Sequence, residues 1–279
     1  MKRISYSSLA IVVMAAGLLA AGIAFAADGL DCVAPVHTPI ANGAVLDLRV
    51  FNDCPGSTLL GTNNYPHLID ITDTDEGCVG WANRSAWSFS EDGGLSRAVF
   101  ENCSHYRFSA TLVIQNSGCG VEAGLRVSPW WSPLVDGVFM ARVPDGEISC
   151  WGGRLPFYNF TAAYGIRYVA ERPIWMEIAY NPHSLTQADP ATIRYTCHYQ
   201  GVTYTSGELP FDQGNPAEPH GLWGELYPTT VGGYAQAPNG NGGALYTMQA
   251  SWWDIQYYHD YWATPTTNTT WGKLKTLYR

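Results

Sequence analysis

The chain has 279 residues, of which 46% are hydrophobic, 13% aromatic and only 14% charged, and its formal net charge at pH 7 is −9. The aromatic content excludes a disordered polyelectrolyte, and the low charge excludes a coiled coil, which is built largely from Ala, Glu, Lys, Leu and Arg. An acidic chain without clustered Lys and Arg is also a poor candidate for binding nucleic acid or an anionic membrane surface.

The first 26 residues have the features of a secretory signal peptide. Lys2 and Arg3 precede an uncharged apolar stretch, and Ala24-Phe25-Ala26 then fits the small-x-small pattern of a cleavage site. The apolar stretch is short for the roughly 20 residues that cross a bilayer, and acidic rather than basic residues follow it. We therefore expect a leader at 1–26, cleavage near Ala26, and a secreted protein, extracellular or periplasmic, with no membrane span.

Segments of alternating apolar and polar residues follow along the rest of the chain, separated by Gly- and Asn-rich turns. None has the 3.6-residue period of an amphipathic helix. The predicted strands are 44–52, 65–72, 106–115, 121–130, 137–143, 147–151, 167–180, 192–200, 202–206, 221–227 and 245–258. Such a series is typical of an antiparallel sandwich or barrel. We predict an all-β antiparallel sandwich as one large domain at 44–262, with an N-terminal arm at 27–43 and a tail at 263–279.

All seven cysteines follow the predicted leader, and none forms a Cys-x-x-Cys pair, which disfavours a zinc site. In an oxidising compartment we expect structural disulfides. The odd number leaves at least one thiol free or available to a second chain. The sequence does not determine the pairing; Cys150 and Cys197, both inside predicted strands, are one candidate pair.

Charged and aromatic side chains alternate with apolar ones in three of the predicted strands, so within each strand they share one face. These positions are Glu122, Arg126, Glu147, Trp151, Arg194 and His198. An ordinary solvated sheet face is one explanation, because antiparallel sheets commonly expose one side to water. A ligand groove is the other, and Trp, Arg, Glu and His favour it because Lys and Thr would suffice for solvation.

In the residue pattern of its predicted strands, the chain resembles the concanavalin A-like jelly-roll superfamily of lectins, laminin G-like modules, glucanases and polysaccharide lyases. The segments that carry the resemblance are Tyr106–Gln115 with Val121–Pro129, Pro173–Tyr180 with Thr192–Tyr204, and the closing segment Gln249–Gln256, QASWWDIQ. They are spread over most of residues 44–258. The resemblance implies a curved sheet with a concave, sugar-binding face.

Saccharide binding is the favoured function, because sugar rings stack on aromatic side chains while their hydroxyl groups need fixed polar partners. We expect most of the eleven tryptophans to fill the core, and Trp131, Trp151 and Trp223 to be exposed platforms. The polar contacts would come from Glu122, Arg126, Arg194 and His198. A structural or adhesive surface protein, whose aromatic patches meet other proteins, is an alternative.

A polysaccharide-degrading enzyme on the same scaffold is the other alternative. The Glu-x-Asp-x-x-Glu and Gln-Ile-His signatures of such relatives are absent from the sequence. Glycoside hydrolysis needs two carboxyl groups about 5–10 Å apart, for which Glu122 and Glu147 are a candidate pair. A lyase would use His198 or a tyrosine as base, beside Arg126 or Arg194 to neutralise a uronate.

No cofactor is required by any of these hypotheses, but a structural Ca²⁺ is a secondary expectation. Four carboxylates lie within residues 70–76, including Asp73 and Asp75, and oxygen ligands suit this ion. The resemblance implies a site shared between a loop and the closing strand, where Asp254 would be the partner. A solvated acidic turn is the alternative. The expected partner is therefore a carbohydrate, and the oligomeric state is left open.

Overall fold

The computed structural model describes residues 38–52, 54–75, 82–101, 103–117, 120–132, 135–143, 145–152, 155–211, 229–238 and 246–258. The predicted leader, the tail, most of the N-terminal arm and the predicted strand 221–227 lie outside these residues. Among the helices within them, none has the length and apolar character needed to cross a membrane.

The described residues form fifteen strands and one short helix. The strands are β1 (Gly43–Asn52), β2 (Thr58–Asn64), β3 (Leu68–Asp75), β4 (Ala82–Ser90), β5 (Tyr106–Ser117), β6 (Val121–Ser132), β7 (Val135–Val143), β8 (Ile148–Trp151), β9 (Tyr158–Asn159), β10 (Ile174–Asn181), β11 (Thr192–Tyr199), β12 (Val202–Thr205), β13 (Leu209–Pro210), β14 (Thr230–Pro238) and β15 (Tyr246–Tyr258). The helix, α1, spans Phe160–Tyr164. Asn159 caps its start by accepting a hydrogen bond from the backbone N–H of Ala162.

The strands form two antiparallel sheets. Sheet A has seven strands in the order β1-β4-β14-β6-β7-β8-β9, and sheet B has eight, in the order β12-β11-β10-β5-β15-β3-β2 with β13 beside β11. The chain passes between the sheets repeatedly, for example from β3 to β4, β4 to β5 and β5 to β6. The predicted all-β antiparallel sandwich of the jelly-roll type is confirmed.

The core lies between the two sheets and contains many of the aromatic residues. Alternation along each strand turns one set of side chains inward, and the rings meet there at edge-to-face, tilted and stacked angles. Trp87 on β4 and Trp252 on β15 are fully buried, with ring centroids 6.3 Å apart across the two sheets. Core packing therefore accounts for part of the aromatic excess.

Five strands of the structure were not predicted: the two-residue strands β9 and β13, and the longer strands β2, β4 and β14. β4 is buried along nearly its whole length but carries Asn, Arg, Ser and Ala, so it lacks the apolar alternation of a half-exposed strand. β14 begins with Thr-Val-Gly-Gly, which is typical of a turn. β2 is an edge strand exposed at nearly every position. The residue patterns of β2, β4 and β14 do not indicate strands, and these segments are strands because they pair with neighbouring strands.

Cys150 and Cys197 are free thiols, both buried, so the candidate pair was wrong. Cys150 lies on β8 of sheet A and Cys197 on β11 of sheet B, and both turn into the core. Packed sheets stand about 10 Å apart, whereas a disulfide needs Cα atoms about 4.4–6.8 Å apart. Cys54 and Cys103 are each disulfide-bonded.

Candidate functional site

The six charged and aromatic residues that share strand faces in the sequence divide between the two outer faces of the sandwich. Glu122 and Arg126 lie on β6 of sheet A, with Glu147 and Trp151 two strands away; Arg194 and His198 lie on β11 of sheet B. The intervening residues of β6 and β11, such as Leu125 and Tyr195, pack in the shared core.

The two outer faces therefore point in opposite directions, so Glu122 and Arg126 do not share one concave face with Arg194 and His198, as the carbohydrate-binding prediction required. The lyase in which His198 acts beside Arg126 fails for the same reason. The side chain of Trp131 and the whole of Trp223 lie outside the described residues.

Sheet A collects the larger polar group. In strand register, Gln236 of β14 lies beside Arg84 of β4 and Glu122 of β6, and Glu122 lies beside Arg142 of β7. A parallel row runs from Ser88 through Gly232 and Arg126 to Val138 and Trp151. We call this group the sheet A site; it consists of Arg84, Glu122, Arg126, Asp136, Arg142, Glu147, Tyr234 and Gln236.

Arg126 is the most buried charge of the site, with its side chain 4% exposed. One terminal nitrogen donates to Ser88 Oγ at 2.8 Å and to Asp47 Oδ2 at 3.2 Å, and the other lies 3.5 Å from Asp136 Oδ2. Burial lowers the pKa of Arg126, and the charges of Asp136 and Asp47 oppose that shift. Its Nε–H is buried and has no partner among the described residues.

Arg84 contacts both Asp136 and Tyr234. Its terminal nitrogen donates to Asp136 Oδ2 at 2.6 Å, and its guanidinium lies over the Tyr234 ring, 4.5 Å from the centroid. The Nε–H of Arg84 is also buried without a partner among the described residues. The site thus holds two guanidinium donors that the described side chains leave unused.

Glu122 is a buried carboxyl group in contact with a buried phenol. The Tyr234 hydroxyl donates to Glu122 Oε1 at 3.3 Å. Burial raises the pKa of Glu122, while this hydrogen bond and the charges of Arg84 and Arg142 act in the opposite direction. Burial also raises the pKa of Tyr234 well above its usual value, so the phenol is a donor at neutral pH and not a base.

Glu147 lies at the more open end of the site. It pairs with Arg142, whose backbone N–H donates to the Glu147 carbonyl, and its Oε1 accepts from Asn159 Nδ2 at 2.9 Å. Glu122 lies opposite Arg142 in strand register, and the Arg142 guanidinium contacts Glu147, so both carboxyl groups lie beside one arginine. Glu122 and Glu147 as a catalytic pair stays a prediction.

Several members of the sheet A site were missed in the sequence. Arg84, Tyr234 and Gln236 belong to β4 and β14, the strands whose pattern did not indicate a strand, and Asp136 lies at the start of β7. The alternation Gly232-x-Tyr234-x-Gln236 could have signalled a polar face, had Gly-Gly not suggested a turn. Trp151, at 41% exposed, is an exposed ring, as expected, and lies in the same cross-strand row as Arg126.

The proposed calcium ligands do not come together. Asp73 is buried and accepts a hydrogen bond from Asn83 Nδ2 at 3.0 Å, and its backbone lies beside Met248 of β15. Asp254 is exposed six residues further along β15, a distance of roughly 20 Å at strand rise. Asp73 and Asp254 as ligands of one ion were therefore a wrong prediction, and the Asp75 side chain lies outside the described residues. Elsewhere in the described chain no three His, Cys, Asp or Glu side chains are arranged to hold a metal.

On sheet B, Arg194 and His198 have partners of their own. Arg194 pairs with Glu208 at 3.0 Å, and the same carboxylate accepts from Thr192. His198 is exposed, and its Nδ1 lies 2.9 Å from Thr203 Oγ1 on β12. These contacts leave Nε2 as the ring nitrogen of His198 that faces away from Thr203.

No protein-family model and no curated protein matches the sequence. Among solved structures the chain is similar to an alginate lyase from Corynebacterium sp., with 13% identity over 78% of this chain and 94% of that one, at a TM-score of 0.42. It is similar to arcelin-5, a lectin-like defense protein from Phaseolus vulgaris, with 11% identity over 77% and 97% of the two chains and a TM-score of 0.38. For lectin UEA-II complexed with galactose the identity is 8%, the coverage 80% and 97%, and the TM-score 0.42.

Proposed function

We propose that the sheet A site binds a carbohydrate. The observation that carries this is a pair of buried Nε–H donors, on Arg84 and Arg126, for which the described residues supply no acceptor and which lie on the outward side of a sheet. A buried donor without an acceptor is costly, and a ligand that brings an acceptor removes that cost. Sugar hydroxyl groups accept and donate at once, and Glu122 and Gln236 lie beside these donors to complete such contacts.

The charge balance of the site favours a neutral sugar. Among the described residues, each of its arginines already pairs with a carboxylate: Arg84 and Arg126 with Asp136, and Arg142 with Glu147. A uronate would meet no unpaired cation there, and its charge would lie near Asp136 and Glu147. Hydroxyl groups, in contrast, can accept from the two Nε–H donors that have no partner among the described residues, without separating these ion pairs.

Trp151 supplies the apolar side of the proposed contact. Its ring is exposed at the edge of sheet A, in register with Val138 and, through it, with Arg126. A sugar ring stacked there would direct its hydroxyl groups along the row of polar residues. An exposed indole stacks on the apolar face of a sugar ring, while fixed hydrogen-bonding groups beside it bind the hydroxyl groups.

A glycan array followed by calorimetric titration of the best-bound neutral oligosaccharide tests the proposal. Arg84→Lys removes the Nε–H donor but keeps the charge, and we expect about tenfold or more weaker binding. Gln236→Ala and Trp151→Ala should also weaken it. Thr62→Ala, an exposed position on β2 of the opposite sheet, is the control and should bind like the unchanged protein. An array without any neutral glycan bound, or equal affinity for Arg84→Lys, would refute the proposal.

Glycoside hydrolysis is the second candidate, and the environment of Glu122 favours it. A buried carboxyl group with a raised pKa is suited to be the general acid, and Glu147, paired with Arg142, would act as nucleophile or base. In that case the acid donates its proton to the glycosidic oxygen as the bond to the anomeric carbon breaks.

A reducing-sugar assay on neutral polysaccharides separates this candidate from binding alone. Product that appears with the unchanged protein, is lost in both Glu122→Gln and Glu147→Gln, and persists in Asp145→Asn would establish hydrolysis. Asp145 is the matched control because it contacts the same Arg142 but is exposed. Binding without product leaves the lectin-like function.

A further inference from the structure

An open cavity lies on the other side of the molecule, on the outer face of sheet B. Its volume is about 510 Å³, and its lining includes Thr111 of β5, Trp175 of β10 and His198 of β11, with Arg172 and Gln200 at its ends. Small-molecule sites commonly have about 300–1,000 Å³. This cavity shares no residue with the sheet A site.

Strand pairing places the three central side chains in one row. Trp175 lies directly opposite Thr111 on one side and His198 on the other. Directly opposed residues have Cβ atoms about 4.5–5.5 Å apart, so a hydroxyl and an imidazole flank the indole. The contact between His198 Nδ1 and Thr203 orients the imidazole. The row thus combines a partly exposed aromatic ring with fixed polar groups.

The next row of the same face contains a polar atom without a partner. Ser109, two residues before Thr111 on β5, is fully buried, and its Oγ has no hydrogen-bond partner in the described chain. It lies opposite Glu177, which is buried and pairs with Arg107 at 2.6 Å. This face therefore keeps buried hydrogen-bonding capacity next to the cavity.

The charge of the cavity differs from that of the sheet A site. No Asp or Glu belongs to its lining, and no described carboxylate lies within 4.0 Å of the guanidinium of Arg172, which is exposed at the rim. The arginines of the sheet A site are paired with carboxylates, which favours a neutral ligand, whereas Arg172 at this cavity favours an anionic one. A cation that pairs with no carboxylate of the described chain, beside a stacking ring, suits a sugar with an anionic substituent.

We propose that this cavity is a second saccharide site, in which a sugar ring stacks on Trp175 and a carboxylate or sulfate group meets Arg172. The site is separate from the proposed function of sheet A, since the two faces point away from each other. A chain with both sites can hold two saccharide segments at once, one neutral and one anionic, on opposite sides of the sandwich.

Calorimetric titration with three probes of equal length tests the proposal: an oligogalacturonate, its methyl ester, and a sulfated oligosaccharide. We expect at least one anionic probe to bind, the ester to bind about tenfold or more weakly than the acid, and Trp175→Ala to lose about tenfold. Arg172→Gln should weaken anionic binding only; it is exposed, so the fold is preserved. Trp253→Ala is the matched control, because Trp253 lies on the same face beyond Thr111 and does not line the cavity.

The outcomes distinguish the two sites. Anionic binding that is lost in Trp175→Ala and Arg172→Gln but kept in Arg84→Lys supports the cavity. If anionic binding is lost in Arg84→Lys and is unchanged in Trp175→Ala, the ligand binds at sheet A and the inference is overturned. Equal binding of acid and ester overturns the role of Arg172, and no binding of any probe overturns the site. Thermal melts of each variant confirm that lost binding does not reflect unfolding.

Discussion

The indole of Trp87 fills the space that a side chain at position 233 would need. Trp87 on β4 and Gly233 on β14 are directly paired, and a Cβ atom on Gly233 would lie 2.7 Å from Cε2 of the ring. A glycine that reads as a turn residue in the sequence therefore serves packing in a central strand. The indole of Trp87 therefore packs against the backbone of the neighbouring strand β14 at Gly233.

We expect Gly233→Ala to destabilise the protein by roughly 1–3 kcal/mol, because the new methyl group overlaps a fully buried ring that has no space to move into. Chemical denaturation measures the change. Gly56→Ala is the control, since a Cβ there meets nothing within 4 Å and should leave stability within about 0.5 kcal/mol. Equal stability of the two variants would contradict this account of β14.

Arg126→Met should destabilise the fold by about 3 kcal/mol, because it leaves the buried carboxylates of Asp47 and Asp136 with one partner fewer each. Arg97→Met removes the other cation on Asp47, but Arg97 is 52% exposed, and we expect a loss below about 1 kcal/mol. Urea titrations of both variants at the same pH give the comparison. A larger loss for Arg97→Met would show that burial does not decide the strength of this network.

Glu122→Gln should stabilise the protein at neutral pH, with an advantage that disappears in acid. Burial raises the folded-state pKa of Glu122, so the folded chain holds this proton more tightly than the unfolded chain. Ionisation then costs stability as the pH rises from the ordinary glutamate value through the folded-state value, and below both values the cost is absent. Glutamine is always neutral and avoids it.

Thermal melts between pH 4 and pH 8 measure this difference, with Glu171→Gln as the control. Glu171 is exposed, so its substitution removes one glutamate charge without changing a buried site. A constant offset between the unchanged protein and Glu122→Gln over the whole range would rule out the raised pKa as the cause.

Cys150 and Cys197 should resist alkylation in the folded protein and react fully after denaturation without reductant. Both thiols are buried, and burial raises the pKa of Cys197 to about 12, so little thiolate is present at neutral pH. Peptide mass mapping after labelling with iodoacetamide, with and without guanidinium, gives the result. If the two positions remained unlabelled in denaturant until a reductant was added, they would form the disulfide that the structure lacks.

Periodicity along the chain correctly predicted the two sides of the three strands whose faces it assigned, β6, β8 and β11, over their described side chains. Glu122 shares a face with Arg126, Arg194 with His198, and the intervening apolar residues are in the core. The rule works because successive side chains of a strand alternate between the two faces of a sheet, whatever its neighbours are. It fails for β4, which is buried on both sides, and for β14, where glycines make room for Trp87.

The sequence by itself determined the all-β class, the inward and outward sides of β6, β8 and β11, and the residue types of a polar face. Only the tertiary structure decided which strands are neighbours, because pairing joins segments far apart in the chain, such as β6 with β14. Pairing brought Arg84, Tyr234 and Gln236 to Glu122, separated His198 from Arg126 by the thickness of two sheets, and made Trp175 the centre of a cavity. Those relationships depend on contacts between distant segments, and no local pattern encodes them.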